Sequence, residues 1–356
     1  MVRLFAGGDA LGDFPSFRVN HADIGIERVE NKNRGSVCKR GDAPDQHGHP
    51  ANGPQTRKRK TCDHLENSHE QNQECNEGYI VTRRMGFNMR RMALIQLKQT
   101  RLEVRQIDAP ATGSSKAPLK APLVFLHEGL GSVAMWQTRD GFWPEQVCAE
   151  TGRAGVVYSR QGYGESDPID DVRGVGRHTP AYMHQHAQET LPELLATLNM
   201  ERPVLLGHSD GGTIALLHAA THALTGCIVM APHVMVEDLS IHSIEAARDA
   251  YVNGNLRERL MRFHRDVDNA FWQWNDVWLS DAFRSFDIRT ACRDIRCPVL
   301  ALQGVDDPYG SLQQIEDIVP AGSITRVAIP GCGHSPHRDQ PQPTLDAIVQ
   351  FLAALP

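Results

Sequence analysis

The chain has 356 residues, 40% of them hydrophobic, and a formal net charge of −6, so it is long enough to bury a full core and has no basic excess to hold an acidic polymer. Residues 1–92 carry 15 Lys and Arg against 12 Asp and Glu, and the remainder 22 against 31, which leaves the later part negative and argues against nucleic acid as a partner. No run reaches the ~20 apolar residues of a membrane span, so membrane insertion is not expected.

Residues 1–92 show few long apolar runs and no sustained period of 2 or 3.6, with polar stretches such as Asn31-Lys32-Asn33-Arg34-Gly35 and His69-Glu70-Gln71-Asn72-Gln73-Glu74. No core is expected there. Three readings stand: a disordered tail, a basic targeting or nucleic-acid arm, or upstream sequence translated from a start assigned too early, since Met85, Met89 and Met92 directly precede the globular pattern opening at Ala93. The Arg57-Lys58-Arg59-Lys60 run is too short to argue nucleic-acid binding. Cys38, Cys62 and Cys75 lie among histidines without the paired Cys-x-x-Cys spacing of a zinc module. The apolar start at Met1 is broken by Gly7-Gly8-Asp9, too early for a signal peptide. Cys148, Cys227, Cys292, Cys297 and Cys332 are an odd, scattered set that fits reduced thiols in a cytosol. A cytoplasmic protein without metal or cofactor is the expectation, acting on a small molecule, with a homo-oligomer left open.

From residue 93 onward, strands alternate with helical patterns. Thr100 to Ile107 and Pro122 to His127 read as early strands, the second running into Glu128-Gly129-Leu130-Gly131-Ser132. Ala154 to Ser159 follows, leading into a glycine-rich loop around Gly162 and Gly164, and then Pro203 to Gly207. That last strand ends in Gly207-His208-Ser209-Asp210-Gly211, and Thr213 to Ala220 continues as a helix. A serine between two glycines at a strand-to-helix turn is held in strained geometry with its hydroxyl exposed, which suits a nucleophile. After Cys227 to Met230 the alternation stops. Residues 232–295 read as consecutive helices, Ile244 to Val252, Leu256 to Val267 and Asn269 to Leu279, and the third carries Trp272, Trp274 and Trp278. Trp274 and Trp278 are four apart and share a face, which makes them candidate walls of an apolar pocket.

Pro298 to Gln303 is a buried strand that runs into a turn holding Asp306 and Asp307. Ile324 to Ile329 is another, followed by Gly331-Cys332-Gly333-His334 with His337 close behind, and a helix from Pro343 to Ala354 closes the chain. A serine hydroxyl needs a base, and the base needs a carboxylate to hold its tautomer. Both types follow Ser209 in the order Ser, Asp, His.

In these motifs the chain resembles an α/β-hydrolase over roughly residues 99 to 354. The resemblance implies an α/β fold, a mostly parallel sheet with helices on both faces, with 93–231 and 296–356 as core and 232–295 as a helical cap. It assigns Ser209 as nucleophile, Asp307 rather than Asp306 as acid, and His334 rather than His337 as base. The backbone N–H groups of Asp210 and Gly129 form the implied oxyanion hole, with His127 bracing its loop. Glu128 stands where the family more often has glycine, and reads as a structural hydrogen-bond acceptor at the pocket. The Asp210 side chain is expected to cap the helix that follows it or to pair with Arg160, and Ser159 and Gln161 stand where an acid and an arginine are commoner. No ring of Arg or Lys surrounds the motifs, so a modest apolar acyl or aromatic group is the expected substrate. The leading expectation is hydrolysis of a carboxylic ester through an acyl-enzyme. C–C hydrolysis of a ring-cleavage product, thioesterase or lactonase activity, and a non-catalytic ligand-binding member of the fold are the alternatives.

Overall fold

The computed structural model describes residues 92–110 and 120–356. Expectations for residues 1–91, including the three cysteines there, lie outside the described residues. Eight strands make one sheet: β1 (Met92–Gln96), β2 (Arg101–Ile107), β3 (Leu123–Leu126), β4 (Gly155–Tyr158), β5 (Val204–His208), β6 (Gly226–Met230), β7 (Val299–Gly304) and β8 (Ile324–Ile329). Their order across the sheet is β1-β2-β4-β3-β5-β6-β7-β8. β2 runs antiparallel to both of its neighbours, and every pairing from β4 to β8 is parallel.

The inner strands read as unbroken apolar runs because both faces of a parallel sheet are covered. Successive side chains alternate between two cores, so Val124 and Leu126 join one cluster while Leu123 and Phe125 join the other. The second cluster is closed by helix α1 (Trp143–Thr151) and the C-terminal helix Pro341–Ala353, through Trp143, Val147, Ile348 and Leu352. The first is closed by α2 (Asp210–Thr221), by the helical run Tyr182–Gln185, His186–Thr190 and Leu191–Thr197, and by the insertion between β6 and β7.

That insertion folds as α3 (Asp238–Val252), α4 (Leu256–Leu260) and α5 (Val267–Trp278), with a 3₁₀ turn at Asp281–Ser285. Its two ends meet through a Met235–Asp287 bridge and the Ile288 N–H bond to Val234 O at 2.8 Å. The expected second cap helix is shorter than its apolar pattern suggests. The chain leaves the helix after Leu260 because His264 takes up tertiary partners: Nδ1 accepts from the Gly164 N–H (3.1 Å) and Nε2 donates to Leu130 O (3.0 Å). The first cap helix opens at Asp238, earlier than its apolar spacing shows.

Five cysteines among the described residues are buried free thiols. Burial pushes Cys297 up to about 11 and Cys148, Cys292 and Cys332 to about 12, so none of these four presents a thiolate at neutral pH. No helix among the described residues is long and apolar enough to cross a membrane.

Arg153, 1% exposed, fastens the C-terminal helix to the sheet. Its guanidinium donates to Ala121 O (2.8 Å) and to Leu352, Leu355 and Pro356 O (3.0 Å each), at and just past the end of that helix. Arg153→Met removes all four of these charge-assisted bonds and should lower the unfolding free energy by about 3 kcal/mol in urea titration. Arg153→Lys should recover less than half of the loss, because an ammonium does not fork to acceptors on two sides.

Candidate active site

The carboxyl ends of β3, β5, β7 and β8 converge, and the loops that leave them bring the chemistry together. Ser209 follows β5 with φ 51° and ψ −120°, a conformation an L-residue adopts only under constraint. The glycines around it are needed for close approach. A Cβ on Gly211 would strike the Leu126 and His127 carbonyls, and one on Gly207 the backbone of Gly211.

His334 lies between the hydroxyl and the acid. Its Nε2 is 2.9 Å from Ser209 Oγ, and its Nδ1 is 2.8 Å from Asp307 Oδ2. Asp307 is fixed in turn by the Gln303 Nε2 (2.7 Å) and the Tyr309 N–H (2.8 Å). Asp306 is exposed and joins the site only through its N–H to Cys332 O (2.9 Å). His337 is buried against Trp136 and Trp143, its Nδ1 has no partner among the described residues, and its Nε2 accepts from Arg338 Nε at 3.3 Å. Burial disfavours the His334 imidazolium, but the charge and hydrogen bond of Asp307 outweigh it and raise the His334 pKa above the ordinary value. Asp307 is held low despite its own burial, by His334 first. A hydroxyl, an imidazole and a carboxylate in this sequence can move a proton off the hydroxyl and keep the resulting imidazolium oriented.

The 127–132 loop is braced from three sides. His127 Nδ1 faces Glu128 O at 2.7 Å and so carries the hydrogen, leaving Nε2 to accept from the Arg160 N–H at 3.0 Å. The Arg160 guanidinium donates to His127 O (2.6 Å) and Glu128 O (2.9 Å), and His264 holds Leu130 O. Arg160 is therefore committed to backbone, and the expected Asp210–Arg160 pair is not formed. Nor does Asp210 cap its helix: Ser209 is the N-cap, without a side-chain cap bond. Instead Asp210 Oδ2 accepts from Tyr182 Oη at 2.6 Å. The acid absent at Ser159 is supplied from β2, where the buried Glu103 accepts from Ser159 Oγ (2.6 Å) and the Glu165 N–H (3.1 Å).

Glu128 lies 3.4 Å from His208 Nδ1, with its side chain 17% exposed. His208 Nε2 faces His334 O at 2.7 Å, an acceptor, so that nitrogen carries a hydrogen. Burial works against a charged Glu128, but His208 and then Arg338 hold its carboxyl well below the usual range. The pair also ties the 127–132 loop to the backbone of His334.

A small cavity of about 30 Å³ opens on Ser209, room for two or three waters. Glu128, Gly129, Asp210, Trp274 and Trp278 all contribute to its wall, so the sequence-predicted pocket and site residues do converge. Trp274 approaches Gly129 so closely that a Cβ there would collide with the indole. Trp272 points elsewhere, with the Arg173 guanidinium 3.9 Å above its ring. His208, Tyr182, His233, His264 and Tyr309 complete the surroundings and were not singled out from the sequence. His208 alone had a signal, its place beside Ser209, while the others arrive from distant segments.

Residues 123–347 match the model of the alpha/beta hydrolase family. Among solved structures, VinJ is similar at 19% identity over 74% of this chain and 99% of that one, with a TM-score of 0.54. A structure described with the carboxylesterases of the ammonia-oxidizing thaumarchaeon Nitrososphaera gargenis is 20% identical over 73% and 98%, TM-score 0.53. The enol-lactonase of Burkholderia xenovorans LB400 is 17% identical over 73% and 100%, TM-score 0.52. At these identities the likeness is one of fold.

Glu128→Gln removes one partner of the buried pair and should cost about 3 kcal/mol of unfolding free energy at pH 7. Because the folded-state carboxyl is depressed, the contribution is present above the unfolded value of about 4.3 and is lost as pH falls towards the folded one. Denaturant titrations of both proteins across this range should show the gap closing on the acid side. A gap independent of pH would contradict the ion pair.

Proposed function

Because the chain belongs to the α/β-hydrolase family, we propose that it hydrolyses a carboxylic ester through an acyl-enzyme formed on Ser209. The observation that carries this reading is the relay from Ser209 Oγ through His334 to Asp307, with separations of 2.9 and 2.8 Å. In the first half-reaction the Ser209 oxygen attacks the acyl carbon while His334 Nε2 takes its proton. The tetrahedral oxyanion is held by the N–H groups of Gly129 and Asp210; the latter is the first residue of α2, so its N–H has no intrahelical acceptor. His334 returns the proton to the leaving alkoxide, and the acyl group remains on serine. Water then attacks the acyl carbon, again losing its proton to His334, which returns it to Ser209 Oγ as the acyl–oxygen bond breaks and the acid product is released.

The surroundings of the relay support this assignment. Asp307, buried and bonded to Nδ1, keeps the Nε2 lone pair aimed at serine. Trp274 and Trp278 give the site an apolar wall that favours a compact acyl group. Neighbours of the same fold described as carboxylesterases and as an enol-lactonase act on acyl–oxygen bonds, in keeping with this chemistry.

Rapid mixing of the protein with p-nitrophenyl esters of short acids should give a burst of p-nitrophenol, and a fluorophosphonate should label Ser209. Ser209→Ala should abolish both, and full activity in that variant would sink the proposal. His334 must be neutral to act as base, and its pKa is raised, so kcat/KM should fall with acidification through a limb above the ordinary 6.5. Asp307→Asn removes the main raising influence: the limb should move to lower pH while kcat/KM drops by about 10⁴-fold.

A further inference from the structure

Asp210 has an oxygen without a partner. The residue is 1% exposed and forms part of the cavity wall beside Ser209. Oδ2 accepts from Tyr182 Oη (2.6 Å), whose oxygen itself accepts from Trp278 Nε1 (3.0 Å), so this half of the carboxylate is built into a chain of three side chains. Oδ1 is buried and makes no hydrogen bond of good geometry among the described residues, although the Trp278 indole N–H lies near enough to act on the carboxyl. Both ordinary employments of such an aspartate fail here, since it caps no helix and Arg160 is committed to the carbonyls of the 127–132 loop. A buried acceptor left unpaired is costly, and a protein site that keeps one beside a cavity is suited to a ligand that supplies the donor.

The charge around Asp210 narrows the donor. Arg160 is near enough to act on Asp210 electrostatically, and Glu128, the other carboxylate on the wall, is matched by His208 and Arg338. Burial nonetheless raises the Asp210 pKa and disfavours its charged form, so the carboxyl is a poor anchor for an ammonium, and a neutral hydroxyl is the complementary group. Its position follows from the residue itself. The ester-hydrolase reading, on which this orientation rests, places the substrate carbonyl oxygen on the Asp210 N–H, and the carboxylate of that same residue lies a short covalent step away.

We propose that Asp210 Oδ1 accepts a hydrogen bond from a hydroxyl on the second or third carbon of the acyl group, making short hydroxyacyl esters the substrate class. The apolar remainder of such an acyl group meets Ile244, Trp274 and Trp278, and the small cavity excludes a long chain.

The test uses the full chain carrying Ser209→Ala, so that binding is read without turnover, with intrinsic indole fluorescence reporting on the Trp274 and Trp278 wall. Methyl 3-hydroxybutyrate should bind about tenfold or more tighter than methyl butyrate. Adding Asp210→Asn should shrink that preference and raise the affinity for methyl 3-oxobutyrate, because an amide turns a donor to the cavity, which a ketone accepts and a carboxylate does not offer, while its oxygen keeps Tyr182. In the otherwise unaltered enzyme, Asp210→Asn should lower kcat/KM for p-nitrophenyl 3-hydroxybutyrate by about tenfold more than it lowers that for p-nitrophenyl butyrate. Equal affinities for the two methyl esters, or an equal loss on both p-nitrophenyl esters, overturns the assignment and leaves Asp210 as scaffold. Absence of ester turnover with Ser209 unlabelled sinks the hydrolase reading instead, and the binding comparison still decides the role of Asp210. Should Asp210→Asn fail to fold, the ratio of affinities in Ser209→Ala alone decides it.

Discussion

A serine fixed at φ 51° and ψ −120° is the constraint to which the rest of the structure answers. Such a conformation costs on the order of 1–3 kcal/mol and persists only where its surroundings over-determine it. Here the Ser209 N–H is held by Met230 O at 2.9 Å and its carbonyl by the Thr213 N–H at 3.0 Å, one bond into the neighbouring strand and one into the helix. The turn closes because Gly207 and Gly211 let backbone meet backbone where any Cβ would intrude. The parallel register of β3, β5 and β6 is thus part of the nucleophile geometry. β7 and β8 obey a similar condition at their ends, since a Cβ on Gly304 would collide with Gly333 O and Cys332 O, the backbone that leads directly to His334.

Histidines crowd this end of the sheet, and their environments separate their roles. His127, His233, His264 and His337 are buried and have their pKa lowered, chiefly by desolvation, so each serves as a neutral hydrogen-bonding or packing group. His334 alone of this group is raised, because its ring N–H meets a carboxylate that is itself fixed by Gln303 and the Tyr309 N–H. The acid–base contrast thus comes from one ionic partner and not from differences in burial.

The parts of the site that were legible in the sequence are those whose neighbours in space are also neighbours in the chain. Gly207 to Gly211 announces the elbow because turn chemistry is local, and β5, β7 and β8 announce themselves because doubly covered strands are continuous apolar runs. The order of Ser209, Asp307 and His334 could be read because each follows such a strand directly. What stayed hidden depends on long-range pairing. Glu103 fills the acid position vacant at Ser159 from another strand, and His264 breaks an apolar helical pattern to reach Gly164 and Leu130. The bonding of Asp210 was misread for the same reason: Arg160 is the nearer candidate in motif space, whereas Tyr182 arrives from a helix with no motif of its own.

The cap and the 127–132 loop are mechanically one object. Trp274 of α5 lies against Gly129 at a distance that admits no side chain, His264 holds Leu130 O from the segment between α4 and α5, and Trp278 joins Tyr182 in positioning Asp210. Each of these contacts runs from the cap, or from the helix beneath it, to a residue whose backbone N–H or side chain borders Ser209. Under the proposed reaction, the surface that meets the substrate is also the surface that fixes the Gly129 and Asp210 N–H groups, and neither is adjusted without the other. With Ser209, Asp307 and His334 all placed by the sheet, the proposed reaction leaves the insertion between β6 and β7 as the place where substrate choice and the geometry of the reacting carbonyl would be set together.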